Sequence, residues 1–221
     1  MALSRLNYNS LNVTPTADKG IGFDSGADDL EATFSGGNMV FIKKLTASSS
    51  SDLSFVDGAS SVVLDNTYKE YIFTFKNIHV SDDSAEFTFN GSIDTGSNYN
   101  VAKTSTFFDA EHLEVGTYPS LGYQAGEDLA QGTGFQTLAK DLEATDNDAA
   151  LGGYLHLFNP SSTTFVKHFL ARTSAMHESA RSYNNYIGGY LNTTSAVDAV
   201  QFKMSAGTID AGDICLYGIT T

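Results

Sequence analysis

From Met39 onward, apolar and polar residues alternate with a period of two. In YKEYIFTFKNI, Tyr71, Phe73 and Phe75 point one way and Ile72, Thr74 and Lys76 the other. AEFTFNGSI sets Phe87 and Phe89 against Thr88 and Asn90, and GYLHLFN sets Leu155 and Leu157 against Tyr154, His156 and Phe158. AVQFKMS contributes Val200, Phe202 and Met204, and DICLYGI contributes Ile214 and Leu216. TFVKHFLART alternates less cleanly and reads as buried on both faces near its middle. Alternation of this kind marks half-buried antiparallel strands.

Turn signals separate these runs: SSSSD at 48–52, DDS at 82–84, DTGSN at 94–98, NPSS at 159–162 and NTTS at 192–195. Short strands between such turns predict an all-β fold, an antiparallel β-sandwich of jelly-roll-like type. Only LGYQAGEDLA at 121–130 and the stretch 136–142 suit a short helix or helical turn, too short for the crossovers of a parallel sheet. Residues 113–152 hold six glycines and the acidic run DLEATDND, which predicts a long surface loop suited to binding. Residues 1–38 differ from the rest, because asparagines and glycines interrupt each short apolar run. They read as an extended N-terminal arm, with Gly36 and Gly37 as a hinge to a body at 39–221. No internal repeat points to a propeller or solenoid.

Composition narrows the function. The 221 residues carry 12 Lys plus Arg against 26 Asp plus Glu, a formal charge of −14. That excess opposes nucleic acid, which needs a basic footprint, and opposes docking on anionic membrane. With 15 Phe and 11 Tyr, the chain is too aromatic for a disordered acidic segment. No apolar run reaches the roughly 20 residues of a membrane-spanning helix, and no secretory h-region follows Arg5. The expectation is a soluble protein made in a cytoplasm. One cysteine, Cys215 in DICLYGI, reads as a buried apolar thiol.

The motifs of catalysis are absent. There is no G-x-S-x-G elbow, no P-loop and no G-x-G-x-x-G. His79, His112, His156, His168 and His177 form neither H-x-H nor H-E-x-x-H, although His156 and His168 fall in neighbouring strands. Acidic turns at Asp82, Asp83 and Asp94, and around Asp141, Glu143, Asp146 and Asp148, offer oxygens for calcium but lack the spacing of a calcium loop. No catalytic, cofactor-binding or metal-ligating residue is therefore assigned. Tyr183, Tyr186 and Tyr190, in SYNNYIGGYLN, form a candidate ligand surface, with cross-strand packing as the plainer alternative.

Several segments carry a resemblance. KKLTASSSSDLSF, YKEYIFTFKNIHVSDDSAEFTFNGSIDTGSNYN, GGYLHLFNPSSTTFVKHFLART and the closing GDICLYGIT resemble virion proteins of tailed bacteriophages, of the marine-phage and cyanophage kind. LHLFNPSS at 155–162 matches that pattern directly, while DTGSNY at 94–99 departs from it by one residue. The similarity covers 1–118 and 152–219, and its weight lies in the order of the pieces. It implies a sandwich or jelly-roll body and a role in the particle, and brings no catalytic residue.

The resulting expectation is a non-enzymatic structural protein of a virion: a tail fibre, knob or capsid-decoration component. It would be anchored by its arm and assembled as a homo-oligomer such as a trimer. Arg5, Leu6, Tyr8, Leu11 and Val13 are the candidate anchoring residues toward capsid, tail or portal-proximal proteins. The alternative is a carbohydrate- or receptor-binding module contacting a host-surface glycan through 113–152 and the 183–190 strand. A depolymerase stands third.

Overall fold

The computed structural model describes residues 38–220 continuously, together with the backbone of 20–23 and 30–34. Its elements are all strands. They run β1 (Gly20–Phe23), β2 (Leu30–Phe34), β3 (Met39–Ser50), β4 (Leu53–Val56), β5 (Glu70–Val80), β6 (Ala85–Ser92), β7 (Lys103–Leu113) and β8 (Pro119–Tyr123). They continue as β9 (Ala130–Gly132), β10 (Gln136–Leu142), β11 (Leu151–Phe158), β12 (Lys167–His177), β13 (Arg181–Leu191), β14 (Ala199–Met204) and β15 (Ile209–Ile219).

The chain divides into two units, Met1–Val40 and Phe41–Thr221. In the first, β1 and β2 pair antiparallel, with Phe23 opposite Leu30. Part of the segment expected to be an extended arm is thus a hairpin. Arg5, Leu6, Tyr8, Leu11 and Val13, and the Gly36–Gly37 hinge, lie outside the described residues.

The second unit is a sandwich of unequal sheets. The wide sheet runs β3-β15-β5-β11-β12-β13-β7, with β8 and β9 sharing the far side of β7; the narrow sheet runs β4-β14-β6-β10. Eight strands (β3, β4, β5, β6, β10, β11, β14, β15), numbered in chain order, give the orders 1-8-3-6 and 2-7-4-5. Two interlocked Greek keys of this kind define a jelly roll. Two insertions widen one sheet only: β7–β9 enter between β6 and β10, and β12–β13 between β11 and β14. The sheets join where Leu142 of β10 meets His177 of β12.

Aromatic side chains fill the space between the sheets. Phe202 lies with its ring centroid 5.2 Å from Phe73, 5.4 Å from Phe75 and 5.8 Å from Phe87, and is wholly buried. Phe55 meets Phe73 at 5.3 Å, and Phe89 meets Phe169 at 5.0 Å. Most of these pairs are edge-to-face, the arrangement the ring quadrupole favours. Four of the expected turns contain a non-glycine residue with positive φ: Ser49 at 49°, Ser84 at 62°, Thr95 at 59° and Asn159 at 47°. Cys215 is buried and free, as its apolar setting predicts.

Four expectations are corrected. Neither stretch holds a helix: 119–123 and 136–142 are strands, 125–127 is a turn in which the Glu127 N–H donates to the Gln124 carbonyl, and β10 places Leu138 and Ala139 in the core. The excursion at 113–152 is accordingly part strand rather than one loop. β10 does not read as a strand because Gln136 and Thr137, though buried, are polar; Gln136 donates to the Glu127 and Thr137 carbonyls. β12 is buried on one face only, alternating strictly from Lys167 to Ala175. Asn90, expected on a polar face, is fully buried beneath the 97–102 and 132–135 turns, donating to the Tyr99, Thr133 and Gly134 carbonyls.

Among the described residues two lysines are also fully buried, both opposite Leu191 in the register. Lys167 donates to the carbonyls of Ser162, Phe165 and Thr193 at 2.6–2.9 Å, tying two loops together. Lys103 donates to Asn90 Oδ1 at 2.6 Å and to the Val101 carbonyl at 2.8 Å. Burial pulls the Lys103 ammonium down to about 7 from its ordinary 10.5.

Two predictions follow from this interior. Phe202→Ala should cost about 3–5 kcal/mol in denaturant unfolding, whereas truncating exposed Leu170 should change little. The second concerns pH. Below about 7 both folded and unfolded chains hold the Lys103 proton, and the cost of burying it is complete. Between about 7 and 10.5 the folded chain sheds the proton first, so this group makes stability rise with pH. The slope is at most about 1.4 kcal/mol per pH unit. Unfolding midpoints across that window should rise more steeply for the native chain than for Lys103→Met; parallel curves would exclude the effect.

Candidate functional site

The narrow sheet covers one face of the wide sheet, and the opposite face supplies the candidate site. Strand register determines what stands together there, because residues opposite one another across antiparallel strands share a face. One row runs Thr74, Tyr154, Arg172, Tyr186, Phe108, Tyr123 across β5, β11, β12, β13, β7 and β8. The next runs Ile72, His156, Leu170, Gly188, Thr106. Both rows point outward.

Contacts within the rows hold them in place. Tyr186 stacks on Phe108 with centroids 4.9 Å apart and planes 2° from parallel. Arg172 lies over the other side of the system, its guanidinium carbon 4.8 Å from the Tyr186 centroid, and donates from Nη2 to Asn184 Oδ1 at 3.2 Å. The sequence of flat groups is therefore guanidinium, phenol, phenyl. Tyr154 stands on the other side of Arg172, with its ring 5.2 Å from that of His156. His156 Nδ1 is 2.6 Å from Glu70 Oε1, which engages that carboxylate at the margin. Tyr123 donates to Asp128, whose carboxylate pushes the phenol above its ordinary range.

These side chains enclose an open groove of about 390 Å³ lined by Tyr154, Leu170, Arg172, Tyr186, Phe108 and Gly188. A smaller hollow of about 230 Å³, between Gly152, Gly153 and Asn184, adjoins it across Arg172. No carboxylate lines either space. Among the described residues Arg172 forms no ion pair. Size and lining are those of a small-ligand cleft, apolar with a few placed polar groups.

The three candidate tyrosines separate. Tyr186 and Tyr190 face outward, Tyr190 beside His168 at 5.8 Å. Tyr183 does not join them: an odd spacing of three places it on the opposite face, 5% exposed, with its ring 4.5 Å from that of His177. Burial first, and hydrogen bonding to Glu111 second, hold its phenol well above the ordinary range. Of the 113–152 segment, Leu121 and Tyr123 join the outer face beside Ala110 and Phe108. Tyr154, Leu170, Arg172 and Gly188 were not singled out from the sequence. Their parity within β11, β12 and β13 was the available signal; their adjacency was not.

The protein-family models, curated proteins and solved structures compared with this chain include no match to it.

A second polar cluster lies between β7, β13 and β10. Arg181 Nη1 is 2.9 Å from Glu111 Oε2, and Lys140 Nζ is 3.5 Å from Asp109 Oδ2. Gln124 donates to Asp109 Oδ1, and Asn185 donates to Thr173, whose hydroxyl donates to the Leu138 carbonyl. Each charge meets an opposite one, so the cluster works as a polar seam attaching β10 to the overhang of the wide sheet. Among the described residues, no three His, Cys, Asp or Glu side chains gather as metal ligands. His168 falls opposite Tyr190, and His156 opposite Leu170, so the two histidines are not direct partners.

The adjacent glycines of β13 provide a test of face. A Cβ on Gly189 would meet the Thr104 carbonyl oxygen at 2.5 Å and Ser105 Cα at 2.9 Å, both backbone. A Cβ on Gly188 would meet side chains alone, the flexible end of Leu170 at 3.3 Å and Thr106 Oγ1 at 3.9 Å. Gly189→Ala should therefore lower the thermal midpoint by several degrees, and Gly188→Ala should leave it within about 1 °C, as scanning calorimetry would record.

Proposed function

We propose that this chain is a non-enzymatic structural protein of a phage particle, a fibre, knob or capsid-decoration component. The segment 1–38 attaches it to other virion proteins, and the jelly-roll body faces outward as a homo-oligomer. The phage assignment rests on the order of motifs along the chain. The observation that supports an assembly or recognition role is the outer face of the wide sheet. There Phe108, Leu121, Tyr123, Tyr154 and Leu170 are 40–73% exposed in one connected strip. Apolar side chains gathered this way mark surfaces that meet partners, whereas scattered ones do not.

A second reading, carbohydrate or receptor binding by the body, is favoured by the groove itself. Stacked rings supply flat apolar platforms, and Arg172, Asn184 and Thr106 supply hydrogen-bonding groups beside them. The two readings are compatible, since a particle protein can carry a recognition face.

Deleting residues 1–38 should abolish incorporation into particles while leaving a folded body that still unfolds in one cooperative thermal transition. A truncated protein that still co-sediments with particles would exclude anchoring by that segment. Sedimentation equilibrium of the full chain should return a whole-number multiple of 23.6 kDa greater than one.

A further inference from the structure

Within the recognition reading, the chemistry of the groove specifies a ligand class. We infer that the outer face of the wide sheet binds an oligosaccharide bearing a uronic-acid residue, with the sugar ring against the aromatic row and its carboxylate on Arg172. The inference rests on the body having a recognition face and goes on to name what that face selects.

Charge placement is the first argument. The chain carries −14 overall, yet the groove and its adjoining hollow present one full charge, the positive one of Arg172, and no carboxylate. The marginal acids Glu70 and Asp128 are already engaged by His156 and Tyr123. A single ligand carboxylate at Arg172 meets an uncompensated cation. The acidic loops beyond are screened over about 8 Å at physiological salt. A dense polyanion would meet those loops, which is why the class is a glycan with an isolated acid.

Preorganisation is the second. Arg172 is held flat by the Tyr186 face and by Asn184 Oδ1, leaving other guanidinium N–H groups free to pair with a carboxylate. Tyr186 is braced in turn by its stack on Phe108. A pyranose has one apolar face of C–H groups and a polar rim, matching rings with Thr106 and Asn184 beside them. Gly188 forms the floor between Leu170 and Thr106: it carries no side chain, and a Cβ there would meet Leu170 Cδ2 at 3.3 Å and Thr106 Oγ1 at 3.9 Å.

The test uses the full-length protein and a panel of short oligosaccharides, each containing one glucuronic, galacturonic or mannuronic acid. The same panel after reduction of each carboxylate to an alcohol serves as the neutral counterpart. At least one acidic member should bind in titration calorimetry about ten-fold or more tightly than its reduced form, with affinity falling as salt rises. Arg172→Gln should bring the acidic member down to the level of the reduced one. Gly188→Val, which fills the floor at a position where strand geometry accepts a branched residue, should remove binding of both. The thermal midpoint of Arg172→Gln should match the native protein, and Gly188→Val should still unfold in one cooperative transition once the exposed Leu170 side chain has shifted. Equal binding of acidic and reduced forms, or indifference to Arg172→Gln, would overturn the inference while leaving a glycan-recognition face standing. Failure of every member to bind would overturn both, and neither result bears on particle attachment through 1–38.

Discussion

The fold depends on a layer of interlocked phenyl rings between two sheets of different width. Phe202 of the narrow sheet touches Phe73 and Phe75 of the wide sheet and Phe87 beside it, so one ring links three strands. Burying an aromatic side chain stabilises more than any surface ion pair in this molecule. Because most rings in the layer meet edge to face, it also constrains how the sheets can slide. That rigidity reaches the outer face: inward Phe73, Phe169 and Ile187 alternate along β5, β12 and β13 with outward Thr74, Leu170 and Tyr186.

The core strands were legible because alternating Phe, Leu and Ile is a direct imprint of one-sided burial. What escaped has specific causes. β10 buries four residues in a row, the polar Gln136 and Thr137 before Leu138 and Ala139, so it lacks the alternation that marks a strand. β12 looked buried on both faces because Leu170 is apolar and outward; it is 55% exposed and belongs to the groove. A break in the alternation was therefore the trace of the candidate site. The misplacement of Tyr183 came from grouping tyrosines by composition, when an odd spacing within a strand separates faces. The rows themselves required pairings such as β7 with β13, between segments about 80 residues apart, which turn chemistry does not specify.

Both insertions act on the same sheet. Strands β12, β13 and β7 carry most of the groove, and all three lie beyond the eight strands of the jelly roll. The overhang they create needs support beneath it, which the seam of Asp109, Lys140, Glu111 and Arg181 provides together with the Leu142–His177 bridge. Polar groups suit that position because they can be satisfied at a junction too narrow for another layer of rings.

Edge strand β3 has a mechanical consequence. The body begins at Phe41, whose ring packs 5.7 Å from that of Tyr217 on β15. A tug entering there and resisted at mid-sheet runs across the strands, along their hydrogen bonds, so β3 would peel from β15 one pair at a time. Lys44 and Thr46 on Asp213, and Ser49 on Asp210, fasten that margin like rivets along a seam. The body would thus yield first at its rim, paying out slack while the ring layer behind it stays closed.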